Sequence, residues 1–245
     1  MTEGDDMTVL VITGTGTEVG KTVTTAAVAA VALASGRSVA VLKPAQTGVG
    51  PAERGDADEV ARLSGAVTVR ELARYPEPLA PATAARRSGL APVHPEDVAE
   101  AAAKLAVDHD LVLVEGAGGL LVRFDEAGGT LGDTARLLGA PVLLVASAGL
   151  GTLNTTELTS RELAVREVEL AGVVIGSWPT SPDLASRCNL ADLPVVANAP
   201  LLGAVPAGAG ALAPGDFRAR AGGWLAPALG GVWNAVSFGA AGVAP

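Results

Sequence analysis

The nonapeptide Gly14-Thr15-Gly16-Thr17-Glu18-Val19-Gly20-Lys21-Thr22 holds the densest chemistry in the chain. Glycines 16 and 20 have no Cβ to obstruct the backbone, so a loop there can turn its N–H groups inward around an anion. A helix opening near Lys21 adds the positive end of its dipole at the same spot. Lys21 can reach the β- and γ-phosphates of a nucleotide, and the Thr22 hydroxyl can take one Mg²⁺ position. The generic pattern G-x-x-x-x-G-K-[ST] is missed by one place, because Thr15 stands where its first glycine belongs and Gly14 comes one residue early. The bland alternative is a glycine-rich strand-to-helix turn with no ligand. Gly-Lys-Thr in that setting is far rarer than Gly-x-Gly, which argues for the phosphate.

Three further side chains suit the same chemistry. Lys43 ends a short apolar run with Thr47 just beyond it, which offers a second cation over a transferring phosphate and a hydroxyl beside it. In isolation a solvated lysine at a strand end is the better reading. Asp56 is a helix N-cap, a Mg²⁺ ligand, or both at once. Glu115 closes the run Leu-Val-Leu-Val, where a phosphate-loop protein keeps its second acidic metal group. A carboxylate buried there without a partner would be costly, and a metal or bound water supplies one; the alternative is a solvated acid. Gly116, Ala117, Gly118 and Gly119 follow and permit close backbone approach to a ligand. His94 reads as a loop or cap residue and His109 as a helix-end residue suited to the dipole. Cys188 has no C-x-x-C partner and reads as structural or incidental, and Trp178, Trp224 and Trp233 read as packing residues.

Positioning these groups requires alternating strands and helices. Residues 9–13 form the first strand, and a helix over 23–35 closes at Gly36. Residues 38–43 form a second strand stopped by Pro44, followed by a loop over 46–55. A helix starts at Asp56, with Glu59 at capping-box spacing. Residues 76–92 read as a proline-rich loop with one short helix, and 95–107 as a helix with Pro95, Glu96 and Asp97 in its first turn. Then come a strand over 111–115, a helix over 131–138, a strand over 141–147, a loop over 149–154 and a helix over 155–167. Strands over 173–177 and 201–205 and a helix over 216–224 complete the assignment; 230–245 is too rich in glycine and alanine to assign. Strands that are apolar throughout and alternate with helices predict an α/β fold of the P-loop NTPase type. Its sheet is mostly parallel, with helices on both faces. Ligands in such sheets bind at the carboxyl ends of the strands, where most of the candidates sit. One domain over 9–245 and a disordered tail over 1–8 are expected.

Composition narrows the partners. The chain has 245 residues, 49% of them hydrophobic, enough for a sizeable core. Seventeen basic against 26 acidic residues give a net charge of −9, and only seven residues are aromatic. Such a chain lacks both the basic patch and the stacking platforms of a nucleic-acid binder. A single cysteine rules out an intrachain disulfide and suits a reducing compartment. The first six residues carry three acids and no base, unlike a signal peptide, and no apolar run reaches a membrane span. A soluble, cytoplasmic protein without membrane or nucleic-acid partners is expected.

Taken together, three stretches resemble the dethiobiotin synthetase family. They are the glycine loop 14–22, Lys43-Pro44 with Thr47-Gly48, and Val114-Glu115-Gly116-Ala117-Gly118-Gly119. Leu150-Gly151-Thr152-Leu153-Asn154 and Pro200-Leu201-Leu202-Gly203 fit the same pattern, in order, over most of the chain. The resemblance implies a ligase that uses ATP and Mg²⁺ to close the ureido ring on 7,8-diaminopelargonic acid with carbon dioxide, in biotin synthesis. It implies that Thr17, Glu18, Val19, Gly20, Lys21, Thr22 and Val23 cradle the phosphates. Asp56, Glu115, Gly116, Ala117, Gly118, Gly176, Ser177, Pro206, Ala207 and Gly208 complete the nucleotide site. Thr22, Asp56 and Glu115 would hold Mg²⁺, and Lys43 and Lys21 would be the catalytic cations. Thr47 would bind substrate, and Gly151, Thr152, Leu153 and Asn154 would take its carboxylate at a helix start of the neighbouring subunit, which implies a homodimer.

The resemblance has one departure. ATP-using relatives place an Asn after the fifth strand to read the base edge, and Gly176 stands there, followed by Ser177 and Trp178. Glycine cannot discriminate bases by side chain, so relaxed nucleobase selection is expected, with other nucleoside triphosphates admitted. Two rival readings remain in view. A corrinoid-type amide ligase would carry a further glutaminase domain with a nucleophilic cysteine. A partitioning-type ATPase switch would carry a lysine near the start of the glycine loop, where Thr15 and Gly16 stand, and a basic or amphipathic surface.

Overall fold

In the computed structural model, residues 8–241 are described. The tail expected over 1–8 lies outside them apart from Thr8, whose carbonyl accepts a 2.7 Å hydrogen bond from Val112 N. Residues 242–245 also lie outside. Seven strands form one sheet: β1 (Val9–Gly14), β2 (Val39–Thr47), β3 (Thr68–Tyr75), β4 (Leu111–Gly119), β5 (Val142–Ala146), β6 (Leu170–Trp178) and β7 (Leu201–Pro206). Their spatial order is β3-β2-β4-β1-β5-β6-β7, with every pair parallel. The connecting helices are α1 (Lys21–Ala34), α2 (Asp56–Ser64), α3 (Pro81–Ser88), α4 (Pro95–Ala106), α5 (Leu131–Leu138), α6 (Thr152–Val165) and α7 (Leu184–Ala197). The helices α8 (Pro214–Ala221) and α9 (Ala235–Ala241) follow the last strand.

The uniform apolarity of the strands has its cause in two buried faces. Leu10 and Ile12 of β1, with Leu111 and Leu113 of β4, pack toward α1, α2, α7 and α8. Val11, Val112 and Val114, one residue out of phase, pack toward α4, α5 and Leu163 of α6. Alternation puts successive side chains on opposite faces, so a strand covered on both sides has no polar position to spare.

Several boundaries differ from the sequence assignment. β2 does not stop at Pro44 but runs to Thr47. Its ladder to β4 ends with Leu42 opposite Val114, and its ladder to β3 passes from Lys43 to Ala45, so the proline falls where one flank is open. β3 went unseen because it is an edge strand whose side chains are mostly exposed or half-buried and include Arg70, Glu71 and Arg74. α7 went unseen because Pro194 lies inside it; Asp183 caps it, accepting from Ser186 N at 2.8 Å. α6 starts at Thr152, so the loop expected over 149–154 is shorter. The strand bearing Gly176 is the sixth in chain order, not the fifth.

α5 illustrates how local chemistry holds the framework. Thr130 caps it: Thr130 N donates to Asp133 Oδ2 at 2.9 Å, and Asp133 N donates back to Thr130 Oγ1 at 3.4 Å. A Cβ on Gly116 would lie 2.5 Å from Leu131 Cδ2, so this helix start presses directly on the segment after Glu115. Thr130→Ala is expected to lower the unfolding free energy by about 1 kcal/mol. Urea denaturation measures it, and a change below roughly 0.3 kcal/mol would contradict the capping role.

Candidate active site

Three adjacent strands deliver the chemistry to one end of the sheet. β1 leads into the glycine loop, with α1 beginning at Lys21. On the neighbouring pair, Leu42 of β2 lies opposite Val114 of β4, so Lys43 and Glu115 leave their strands side by side. Ile12 of β1 lies opposite Glu115. The strand order β2-β4-β1 is therefore what assembles the site.

Lys43 Nζ lies 2.5 Å from Asp56 Oδ2 and 2.9 Å from Glu115 Oε1, and donates to the Gly116 carbonyl at 3.3 Å. The Thr22 hydroxyl donates to the same Glu115 Oε1 at 2.9 Å. Lys43 is 2% exposed and Glu115 1%, so neither is the solvated strand-end charge of the alternative readings. Burial pulls the Lys43 ammonium down, but the charges of Glu115 and then Asp56, with their hydrogen bonds, outweigh it and raise its pKa. Lys21, 8% exposed, donates to the Gly16 carbonyl at 2.9 Å. Burial first, and the Lys43 charge second, lower its pKa, with Glu115 and Asp56 opposing.

Glu115 Oε2 is buried and has no hydrogen-bond partner. An orphaned carboxylate oxygen is expensive unless something fills its lone pairs. Beside it stand the Thr22 hydroxyl and the Asp56 carboxylate. Hard oxygen donors of this kind fit Mg²⁺. Among the described residues no three His, Cys, Asp or Glu side chains are arranged to hold a metal ion by themselves. Two carboxylates and a hydroxyl are thus a partial shell, of the kind Mg²⁺ completes with phosphate oxygens and water.

Asp56 is not the helix cap. Gly55 holds that position and its N–H donates to Asp58 Oδ2 at 2.9 Å, so Asp58 and not Glu59 supplies the capping carboxylate. Glu59 instead pairs with Arg62. Capping by another residue leaves the Asp56 side chain free for Lys43. Sequence reasoning missed Gln46, which is buried and whose Oε1 accepts from Asp56 N at 2.8 Å. It ties the end of β2 to the start of α2 and so aims Asp56. Its signal in the sequence was only a polar residue three places after Lys43.

The remaining candidates fall into two groups. Ala207 N donates to the Trp178 carbonyl at 2.7 Å, latching the exits of β6 and β7, and so bringing Ser177 together with Pro206, Ala207 and Gly208. A Cβ on Gly210 would meet Val23 at 3.1 Å, which puts that loop against α1, and one on Gly118 would lie 3.6 Å from Thr17 Oγ1. Gly176 touches the glycine loop itself: a Cβ there would lie 2.1 Å from the Val19 carbonyl oxygen. Glu18 and Gly20 both hold positive φ, 60° and 96°. Thr47 closes β2 opposite Tyr75. Gly151, Thr152, Leu153 and Asn154 open α6, and among the described residues they share no hydrogen bond or ion pair with the Lys43 cluster. Thr152 Oγ1 is buried there without a partner. Trp178, Trp224 and Trp233 all make ring contacts with phenylalanines, as packing residues would.

A parallel sheet whose first strand feeds a Gly-Lys-Thr loop, with an acid on the neighbouring strand end, defines a P-loop nucleoside-triphosphate-binding protein. A ParA family ATPase from Chlorobium tepidum shares the fold, with a TM-score of 0.55 at 16% identity over 95% of this chain and 98% of that one. A family model described as an AAA domain matches residues 8–210. Two ATP-dependent dethiobiotin synthetases are far more similar. That of Streptomyces avermitilis is 81% identical over 96% of this chain and 99% of its own length. That of Streptomyces coelicolor is 75% identical over 95% and 98%. The chain belongs to the dethiobiotin synthetase family.

Proposed function

We propose that this chain is an ATP-dependent dethiobiotin synthetase whose reaction centre is the space between Lys21 and Lys43. The observation that carries the assignment to this site is the pair of buried ammonium groups, one in the glycine loop and one beside Glu115. An amine of 7,8-diaminopelargonic acid takes up carbon dioxide as a carbamate. A carbamate oxygen attacks the γ-phosphorus and ADP leaves. The second amine attacks the carbamic–phosphoric anhydride carbon, the ring closes and phosphate departs. Negative charge crowds onto the phosphoryl group throughout, so the protein's task is alignment and charge neutralisation.

Within this reading, residues 17–23 cradle the phosphates and Lys21 holds the β- and γ-oxygens. Lys43 meets the carbamate and the transferring group, and Thr47 hydrogen-bonds substrate. Thr22, Asp56 and Glu115 hold Mg²⁺, which when bound neutralises phosphate charge and aligns the γ-phosphoryl group. The substrate carboxylate docks at the start of α6, at Gly151, Thr152, Leu153 and Asn154, where the helix presents the positive end of its dipole. We assign that segment to the neighbouring subunit of a homodimer, as the family resemblance implies. Leu150, 93% exposed beside it, gives such an interface an apolar anchor. We read the chain from residue 9 onward as one domain working in the cytoplasm. No described helix is long and apolar enough to cross a membrane.

The test is formation of dethiobiotin from diaminopelargonate, bicarbonate, Mg²⁺ and ATP. Turnover that requires diaminopelargonate supports the reading; nucleotide hydrolysis stimulated instead by DNA or lipid would favour the ATPase switch. Because Gly176 has no side chain for the base edge, kcat/KM for ATP, CTP and GTP is expected to fall within about one order of magnitude. Each missing base-edge hydrogen bond forfeits only about 1 kcal/mol of discrimination. A strong ATP preference would contradict relaxed selection.

A further inference from the structure

We propose that Lys43 is the placeholder of the metal site: it keeps Asp56 and Glu115 together, and a divalent cation arriving with the nucleotide displaces it toward the reacting phosphoryl group. The inference rests on the metal assignment to Thr22, Asp56 and Glu115 made above.

The argument begins with donor capacity. An ammonium has three N–H bonds and no acceptor. Lys43 Nζ has three oxygen partners: Asp56 Oδ2 at 2.5 Å, Glu115 Oε1 at 2.9 Å and the Gly116 carbonyl at 3.3 Å. Its donors are spent, and it can reach a carbamate or phosphate only by giving some of these up. The partners it must give up are the two carboxylates that a divalent cation needs. A dication and an ammonium set against the same two carboxylates repel each other, and most strongly at the buried Glu115 end of the pair. Thr22 has no such conflict, since its hydroxyl can go on donating to Glu115 Oε1 while an oxygen lone pair faces a metal. Lys43 is therefore the group that must move.

The same arrangement explains why the site keeps its shape. Glu115 is 1% exposed, and a carboxylate so buried is costly without a cation close by. One exchange then does two things. The carboxylates pass from Lys43 to the metal, and the released ammonium becomes available at the moment the triphosphate is in place.

Mn²⁺ binding followed by electron paramagnetic resonance, with and without ADP, tests this on the full chain. Without nucleotide, Lys43→Met is expected to bind Mn²⁺ at least roughly tenfold more tightly than wild type and to gain Tm on adding Mg²⁺. Lys43→Arg, which keeps the charge, should behave as wild type, and Lys43→Met/Glu115→Gln should lose the gain. A Lys43→Met protein that binds Mn²⁺ no more tightly overturns the proposal. Glu115→Gln with unchanged Mn²⁺ affinity in ADP overturns the metal assignment instead. Should Lys43→Met not fold, a crystal structure of the wild type with Mn²⁺ and ADP decides. Lys43 withdrawn from Asp56 supports the exchange, and Lys43 still hydrogen-bonded to both carboxylates refutes it.

Discussion

Lys43→Ala is expected to lower kcat by on the order of 10²-fold or more, the usual cost of removing one electrostatic stabiliser of a developing oxyanion. The loss should fall on kcat more than on the KM for ATP, because in the proposed site the phosphates would stay gripped by residues 17–23, Lys21 among them. The substitution has a second effect that the geometry makes unavoidable. Glu115, buried and hydrogen-bonded to Lys43, loses its cation. Removing one partner of a buried ion pair typically costs about 3–5 kcal/mol, so a fall in Tm should accompany the fall in rate. Steady-state dethiobiotin formation at saturating ATP and Mg²⁺, at a temperature where the variant is folded, separates the two. Near-normal turnover under those conditions would remove Lys43 from the mechanism.

Gly176→Asn is expected to raise the KM for ATP, CTP and GTP alike, by roughly tenfold to a hundredfold, rather than to confer a preference for ATP. The family resemblance implies an Asn at this position for base reading, and restoring it looks like the obvious way to restore that reading. The backbone forbids it. A Cβ on Gly176 would lie 2.1 Å from the Val19 carbonyl oxygen and 2.5 Å from Val145 Cγ1. The contact is mutual, since a Cβ on Gly20 would lie 2.2 Å from the Gly176 carbonyl oxygen. Two glycines let the end of β6 touch the phosphate loop backbone directly. Any side chain at 176 must push Val19 aside, and Val19 belongs to the phosphate cradle proposed above. Displacements of about 1 Å in positioning groups are known to cost on the order of 10²-fold. Parallel measurement of KM for the three nucleotides checks this. An Asn variant with unchanged KM for ATP and reduced use of CTP and GTP would overturn the steric argument.

The sequence alone determined the class of chemistry and most of the framework. Gly-Lys-Thr between an apolar strand and an alanine-rich helix can hardly serve anything but a phosphate. Strands without a polar face require helices on both sides of the sheet. These are local properties, set by residue type and spacing within a few residues. What lay beyond local reading was of two kinds. β3 and α7 carry weak signals, an exposed edge strand studded with charge and a helix containing proline, and only their packing against the sheet makes them regular. How the named site residues come together lay beyond local reading for a different reason. Lys43, Asp56 and Glu115 come from three separate stretches, and each alone looks like an ordinary surface charge. Only the order β2-β4-β1 brings Lys43 beside Glu115, and only the bond from Asp56 N to Gln46 turns α2 so that its first carboxylate meets them. Burial then converts Lys43 and Glu115 into an obligatory pair, because neither could be taken out of water without the other, and the half-exposed Asp56 closes the cluster at its edge.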